Sequence, residues 1–418
     1  MDVQITTLGA LLGLAVAIFL IIKKGHPAYS LILGALIGGL VGGAALDSTV
    51  SIMINGAKDM MPSIIRIITS GVLAGVLIQT GSAAKIADQI VKVLGEKNAL
   101  FALSLATMIL TASGVFIDIS VITVAPIALA LGKKLNYSKM AVLLAMIGGG
   151  KCGNVLSPNP NTIAASENFG VELSSLMGAN IIAALFGLVA TVLLVKLLVN
   201  KGEKVTETVE QHKQEDLPSF FAAIIGPLVA IILLALRPLA GITVDPLIAL
   251  PVGGLVAVVA CGKVKKTNEY ITFGLTKMMP VAVLLVGTGA IAGIIKASSL
   301  QTDTIAVLNT LSIPEFLLAP IAGMLMGAAT ASTTAGTTIA SATFGPAIMA
   351  AGISPLGGAA MVHAGATVLD HLPHGSFFHA TAGATNVSIN ERLKLIPYES
   401  LVGLTITIVT TIMWGIIL

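Results

Sequence analysis

Seven ionisable side chains lie inside otherwise apolar stretches of the chain: Arg66, Asp118, Lys151, His363, Asp370, His371 and His374. A charge held at membrane depth is costly unless it is paired or hydrated, so each such residue marks a binding or coupling site or half of an ion pair. Asp118 and Asp370 suit proton carriage, because a carboxyl removed from water takes up a proton more readily. His371 and His374 can relay protons. Lys151 can meet a carboxylate ligand or pair statically with Asp118 or Asp370. Arg66 is placed near the outer end of its span, where it is expected to snorkel to the interface.

Two polar runs accompany these groups. In GGGKCGNVLSPNPN (148–161) and the residue after it, Asn154, Ser157, Asn159, Asn161 and Thr162 carry amides and hydroxyls that donate and accept, which matches the hydroxyl groups of a small polar ligand. The same residues can instead serve as caps for an interrupted helix. In ATASTTAGTT (329–338), Thr330, Ser332, Thr333, Thr334, Thr337 and Thr338 form a second cluster. Singly, such hydroxyls are common helix–helix contacts in lipid; together at a chain reversal they suit substrate or ion contact. His371, His374 and His379 lack the HExxH pattern, and no metal site is expected. No nucleophile elbow or phosphate loop is found, so no enzyme activity and no direct use of ATP is expected.

The elements that carry these residues follow from composition. Of 418 residues, 56% are apolar and 10% charged, against about 25% charged in soluble domains. A net charge of +3 is no nucleic-acid footprint. Mean hydropathy is +0.98. Cys152 and Cys261 suggest neither a disulfide framework nor a metal cluster. Asp2 precedes the first apolar run and Lys23 and Lys24 follow it, the reverse of a secretory signal, so the first helix is expected to remain in the membrane.

Spanning helices are expected in the runs 5–22, 28–46, 62–80, 174–199, 219–236, 246–262, 280–297 and 399–418, each close to the roughly 20 residues a bilayer requires. Two longer runs, 138–165 and 354–380, are expected to be broken helices, at 148–161 and at HAGATVLDHLPHGS (363–376), because Gly and Pro at that density oppose regular helix. The segments 98–131 and 316–350 are too long for one span and short for two. Each is expected to be a re-entrant hairpin with its tip at TASGVFID (111–118) or ATASTTAGTT. That layout puts 18 Lys and Arg on one side, Lys213 and Arg392 among them, against Lys58, Arg237 and Lys296 on the other. Single spans there would give 12 to 9, and the positive-inside rule prefers the first layout. Two full spans apiece would give the same sidedness. Both termini are then outside, and 200–217 is a charged cytoplasmic linker.

The two halves, 1–199 and 218–418, repeat. Gly56–Pro62 (GAKDMMP) aligns with Gly274–Pro280 (GLTKMMP), with Gly71 on Gly289 and Gly75 on Gly293. Ala145-Met146 aligns with Ala360-Met361, and Pro158 with Pro373. Five spans per half make the second half inverted. The expected fold is therefore an all-α membrane protein of two inverted-topology repeats, each of five transmembrane helices (one broken) plus one re-entrant hairpin. This is a secondary-transporter design with its site at the hairpin tips and helix breaks. The Gly-rich runs 28–46 and 246–262 can serve as a homodimer face or as ordinary packing surface.

GGKCGNVLSPNPNTIAASENFG (149–170), LDHLPHGSFF (369–378) and FIDIS (116–120) resemble the motifs of the GntP-type gluconate permease family, and the resemblance covers nearly the full length. It implies proton-coupled uptake of gluconate or a related small hydroxy-carboxylate across a bacterial inner membrane, with H⁺ as coupling ion and no cofactor. It sets Asp118 at the family's hairpin acid, His371 at its second-break His and Ser157-Pro158-Asn159-Pro160 at its Pro-rich turn. Gluconate permeases of the family carry Glu where this chain has Asp118, His where it has Asn159, and no Lys at position 151. Na⁺-coupled transport of a di- or tricarboxylate, with broken-helix carbonyls and the Thr cluster as ligands, is the alternative; an intramembrane enzyme is a remote one.

Overall fold

The computed structural model describes residues 5–206, 217–300, 302–303, 306, 310 and 314–418. The centre of the charged linker with Lys213, and the side chain of Arg237, lie outside the described residues. The fold is all-helical, with isolated β-bridges only among the described residues. The helices of the first half are α1 (Thr7–Ile22), α2 (Pro27–Val41), α3 (Leu46–Asp59), α4 (Met61–Gln79), α5 (Ser82–Leu94), α6 (Ala99–Ala112), α7 (Ile117–Lys134), α8 (Lys139–Asn154), α9 (Pro160–Phe169), α10 (Leu173–Ala179) and α11 (Ile181–Leu198). The second half contains α12 (Phe220–Ala240), α13 (Pro246–Ala260), α14 (Thr267–Lys296), α15 (Leu318–Thr330), α16 (Thr333–Ala350), α17 (Pro355–Ala366), α18 (Ser376–Ala384) and α19 (Ile389–Ile412).

Among the described residues, four helical stretches are long and apolar enough to cross a membrane, Met61–Gln79, Ile181–Leu198, Val264–Lys296 and Ile389–Ile417, and a fifth if Ser82–Leu94 and Glu96–Ala112, bent by 106° at their junction, are taken together. Shorter apolar helices fill the expected spans at Thr7–Ile22, Pro27–Val41, Phe220–Leu236 and Pro246–Ala260. Boundaries differ from expectation in several places, and α2 ends at Val41 rather than 46. The run 174–199 divides at the buried Asn180, whose Oδ1 accepts a hydrogen bond from Thr410 at 3.1 Å. The run 280–297 is the second half of the 30-residue α14. Pro62 lies in the first turn of α4, where its missing N–H breaks no helical bond, whereas Pro280 lies inside α14. The run 399–418 begins a turn and more late, because α19 starts at Ile389 behind a Ser388 cap.

Glycines set the closest contacts. A Cβ on Gly34 would lie 2.4 Å from Gly13 O, and one on Gly253 would lie 2.7 Å from Gly226 O, so α1·α2 and α12·α13 meet in the same way. At the centre, α14 packs along both α3 and α4. There a Cβ on Gly56 would meet Gly289 and Gly293, and a Cβ on Gly71 or Gly75 would meet Gly274. Small residues of this kind let backbones approach where lipid offers no hydrophobic drive to associate.

The two expected hairpins are present as helix pairs. α6 has 14 residues and α15 has 13, about 20 Å each at 1.5 Å per residue and shorter than a hydrocarbon core of roughly 30 Å. Their turns are inside the protein: Ser113, Val115 and Ala331 are buried. Lys134 pairs with Glu96, so the two ends of 98–131 adjoin and a single crossing is excluded. Gly415 lies against Phe316 and Gly357 against Trp414, which brings the ends of the second hairpin to one place.

Polar contacts between connections segregate into two sets. At one end, Ile5 N donates to Ala297 O at 3.0 Å, Lys296 pairs with Asp59 at 3.4 Å, and Arg66 joins Glu167 and Asp245. At the other, Lys139 bonds Glu203 at 3.1 Å and Asn386 O at 2.9 Å, Glu203 N donates to Glu391, and Val205 N donates to Tyr137 O. Arg66 is held near the start of α4 by Glu167 at 2.9 Å and Asp245 at 2.6 Å.

Candidate functional site

α8 continues through the glycines of GGGKCGN to Asn154, so the first break is shorter than expected, at 155–159. Gly149 and Gly153 remain helical because they face α6, where added Cβ atoms would fall 1.9 Å from Ser104 O and 2.0 Å from Met108 O. Close packing offsets their poor helix propensity. The last turn of α8 thereby carries Lys151 into a fully buried position. The second break runs over 367–375, between α17 and α18.

Lys151, Asp370, His371 and Thr333 meet there. The Lys151 ammonium donates to one Asp370 carboxylate oxygen and to Thr367 O at 2.5 Å, and lies 3.1 Å from His371 Nδ1. Thr333 Oγ1, at the start of α16, donates to the second Asp370 oxygen. Of the two readings of Lys151, the observed one is the pair with Asp370. His371 Nε2 is 3.0 Å from Ile396 O, which can only accept, so the network assigns the neutral ring's proton to Nε2. Its Nδ1 then accepts from Lys151, while the same Asp370 oxygen stands 3.0 Å away. The ammonium thus bridges that nitrogen and that oxygen, and the ring would compete for the carboxylate oxygen only with a second proton, on Nδ1. Arg392 and Glu399 form a second buried ion pair alongside, with Glu399 3.9 Å from His371.

Arg392 and Glu399 were missed by sequence reasoning. Arg392 is not a free cytoplasmic charge: it is fully buried, bonds Glu399, donates to Phe378 O at 3.3 Å and stacks 4.8 Å from the Phe378 ring. The signal in the sequence is the i, i+7 spacing of opposite charges, which sets them on one face two turns apart.

The residues of the first break divide by role. Asn159 caps α9, its Oδ1 accepting from Asn161 N at 3.0 Å and Thr162 N at 3.2 Å, and from Thr162 Oγ1 at 3.3 Å. Its Nδ2 donates to Asn154 Oδ1 at 2.6 Å. Asn161 Oδ1 accepts from Thr334 Oγ1 at 2.6 Å and so ties the break to α16. Asn154 Nδ2, Ser157 Oγ, Thr337 Oγ1 and Thr338 Oγ1 are buried without a protein partner. Thr330 bonds Met326 O and Ser332 O, and Ser332 caps α16. Buried polar groups are ordinarily satisfied, so each of these four is a candidate to meet a polar guest or water, and α16, which carries two of them, packs on α9 just after the first break.

The other ionisable candidates lie apart. Asp118 sits in the first turn of α7, half-buried, with its carboxylate accepting from Ile119 N at 2.9 Å; no ion pair reaches it among the described residues. His374 bonds Ala329 O at 3.2 Å and His379 bonds Pro373 O at 2.9 Å, each with its own partner. His363 is fully buried in α17 with neither ring nitrogen bonded.

Short apolar helix pairs, two interrupted helices and a buried charged centre between them define a multi-pass membrane transport protein. The chain matches the GntP family permeases over residues 5–417 and belongs to that family. It is 58% identical over 413 residues to an uncharacterized transporter of Haemophilus influenzae, covering 99% of both chains. It is 22% identical over 424 residues to the high-affinity gluconate transporter of Escherichia coli, covering 94% of this chain and 97% of that one. In fold it is similar to the YdaH transporter of Alcanivorax borkumensis, with a TM-score of 0.66, 16% identity and coverage of 89% and 88%.

Proposed function

We propose that the protein is a secondary active symporter that carries gluconate or a related small hydroxy-carboxylate together with a proton across a bacterial inner membrane. The observation that carries this reading is the shared carboxylate of Asp370. With neutral His371, Asp370 holds the Lys151 ammonium. A proton arriving at His371 Nδ1 turns that nitrogen into a donor toward Asp370, only 3.0 Å away. Lys151 is then released to meet a substrate carboxylate, and the proton offsets the anion's charge. Substrate and proton become co-dependent without direct contact between them. Asn154, Ser157, Asn161, Thr162, Thr334 and Thr337 would take the hydroxyls, with Asn159, Thr330 and Ser332 shaping the two elements and Thr333 aligning Asp370. Asp118 and His374 would pass protons between the site and solvent.

The same reading has two inverted repeats and both termini outside. The glycine contacts support it. Replacing each residue by its repeat counterpart converts the contact of Gly56 with Gly289 and Gly293 into that of Gly274 with Gly71 and Gly75. Such reciprocity is what a two-fold axis between the repeats would produce.

The test is uptake of labelled gluconate into proteoliposomes under an inward proton gradient, with unlabelled hydroxybutyrate, glycerate and citrate as competitors. Proton-driven uptake that disappears in His371→Gln and Lys151→Met is expected. Uptake that persists in both variants would remove this coupling scheme, and uptake of none of these acids would remove the substrate class.

A further inference from the structure

We infer that the Lys151 ammonium occupies a binding site for a small monovalent metal cation, and that the side chain serves as a tethered substitute for that ion. The oxygens on Nζ are one carboxylate oxygen of Asp370 and the carbonyl of Thr367, at 2.5 Å. Thr367 is the residue at which α17 ends, so the carbonyl comes from interrupted helix. These are two hard oxygen donors, one of them anionic, of the kind a small hard cation takes, and the third neighbour of Nζ is His371 Nδ1 at 3.1 Å. Unwound carbonyls beside a carboxylate are also how transporters coordinate such ions at membrane depth. Thr333, bonded to the other Asp370 oxygen, fixes the carboxylate toward the site. Lys151, Asp370 and His371 are all buried, so an unpaired carboxylate there calls for a positive partner.

Removing the lysine distinguishes an ordinary buried salt bridge from a filled cation site. In the first case Asp370 is relieved by taking up a proton. In the second, Na⁺ or K⁺ enters the vacated place and binds Asp370 and Thr367. Alanine suits the position, because Ala366, the counterpart of Lys151 when Ala145-Met146 is set on Ala360-Met361, ends α17 as Lys151 ends α8 within a turn. The inference deepens the proposed function, since it explains how the site would turn over on protons alone. It rests on that reading only for this consequence.

The experiment is thermal unfolding of the purified full-length protein in detergent at pH 8, titrated with NaCl or KCl against choline chloride at constant ionic strength, without substrate or gradient. Wild type is expected to be indifferent to the cation. Lys151→Ala is expected to show a saturable rise of several degrees with Na⁺ or K⁺, lost in Lys151→Ala/Asp370→Asn. Equal midpoints of Lys151→Ala in all three salts would overturn the inference. A saturable Na⁺ or K⁺ response of the wild type would do the same, as would an undiminished response of the double variant. If Lys151→Ala is not recovered, Lys151→Ser takes its place under the same criteria. Because nothing is transported, failure here leaves the uptake result intact, and failure of uptake leaves this one intact.

Discussion

Asp370 accepts from Lys151, and Thr333 completes its second oxygen, so removing one partner strands a buried charge. Lys151→Met is expected to lower stability by about 3–5 kcal/mol, the range for breaking one side of a buried pair. Lys151→Met/Asp370→Asn is expected to recover most of that loss in thermal unfolding while uptake stays at background. A double variant no more stable than the single one would show that the pair is not the unit that matters. Asp245 lies outside the spans as the cap of α13, and the Arg66 guanidinium beside it holds its carboxyl below the ordinary range, with burial opposing and the Leu247 N–H assisting. Because the folded value is depressed, the contribution to stability is present above the unfolded value of about 3.9 and lost as pH falls through the folded one. Asp245→Asn is expected to flatten the acid limb of the unfolding midpoint. A limb of unchanged steepness would remove Asp245 as its source.

Element by element, the chain's own pattern located all ten expected runs and both hairpins but not their exact ends. α8 is the instructive case. Three consecutive glycines and a lysine read as a break, yet the helix persists, because what those glycines face is decided by α6, far along the chain. Gly153→Ala, whose Cβ would sit 2.0 Å from both Met108 O and Thr111 Oγ1, is expected to cost about 1–3 kcal/mol or more through overpacking. Gly383→Ala in α18, where nothing lies within 4 Å, is expected to be neutral or stabilising by up to about 1 kcal/mol. Comparison of the two unfolding midpoints tests whether packing holds α8 together. For the site, residue types were legible and pairings were not. Lys151, Asp370, His371 and Thr333 stood out as polar groups among apolar ones, while Arg392 and Glu399 hid at the edge of the last run. Asn159 was legible as a ligand or as a cap, and the choice between them depends on where α9 begins.

For the whole molecule, the segregation of connection contacts makes sidedness a single choice. In a Cys152→Ala/Cys261→Ser background, cysteines at Lys58 or Lys296 are expected to react with an impermeant maleimide in intact cells. Cysteines at Lys97 or Lys201 should react only after permeabilisation. The opposite pattern would invert the topology as a whole, and a mixed pattern would contradict the two-ended arrangement. The Lys139, Glu203 and Glu391 contacts at the linker end bind the halves where the chain passes between them, so motion between repeats must preserve or break this cluster.

The reciprocal glycine contact between α14 and the α3–α4 pair has a consequence for ancestry. A surface that meets its own repeat counterpart in this way would serve equally well between two separate copies of a half-length chain inserted in opposite orientations. Joining them needs only a linker and an odd number of crossings per half. On the proposed reading of two inverted repeats, the Gly56–Gly289 and Gly71–Gly274 contacts would be the inherited subunit interface of an antiparallel dimer, closed inside one polypeptide.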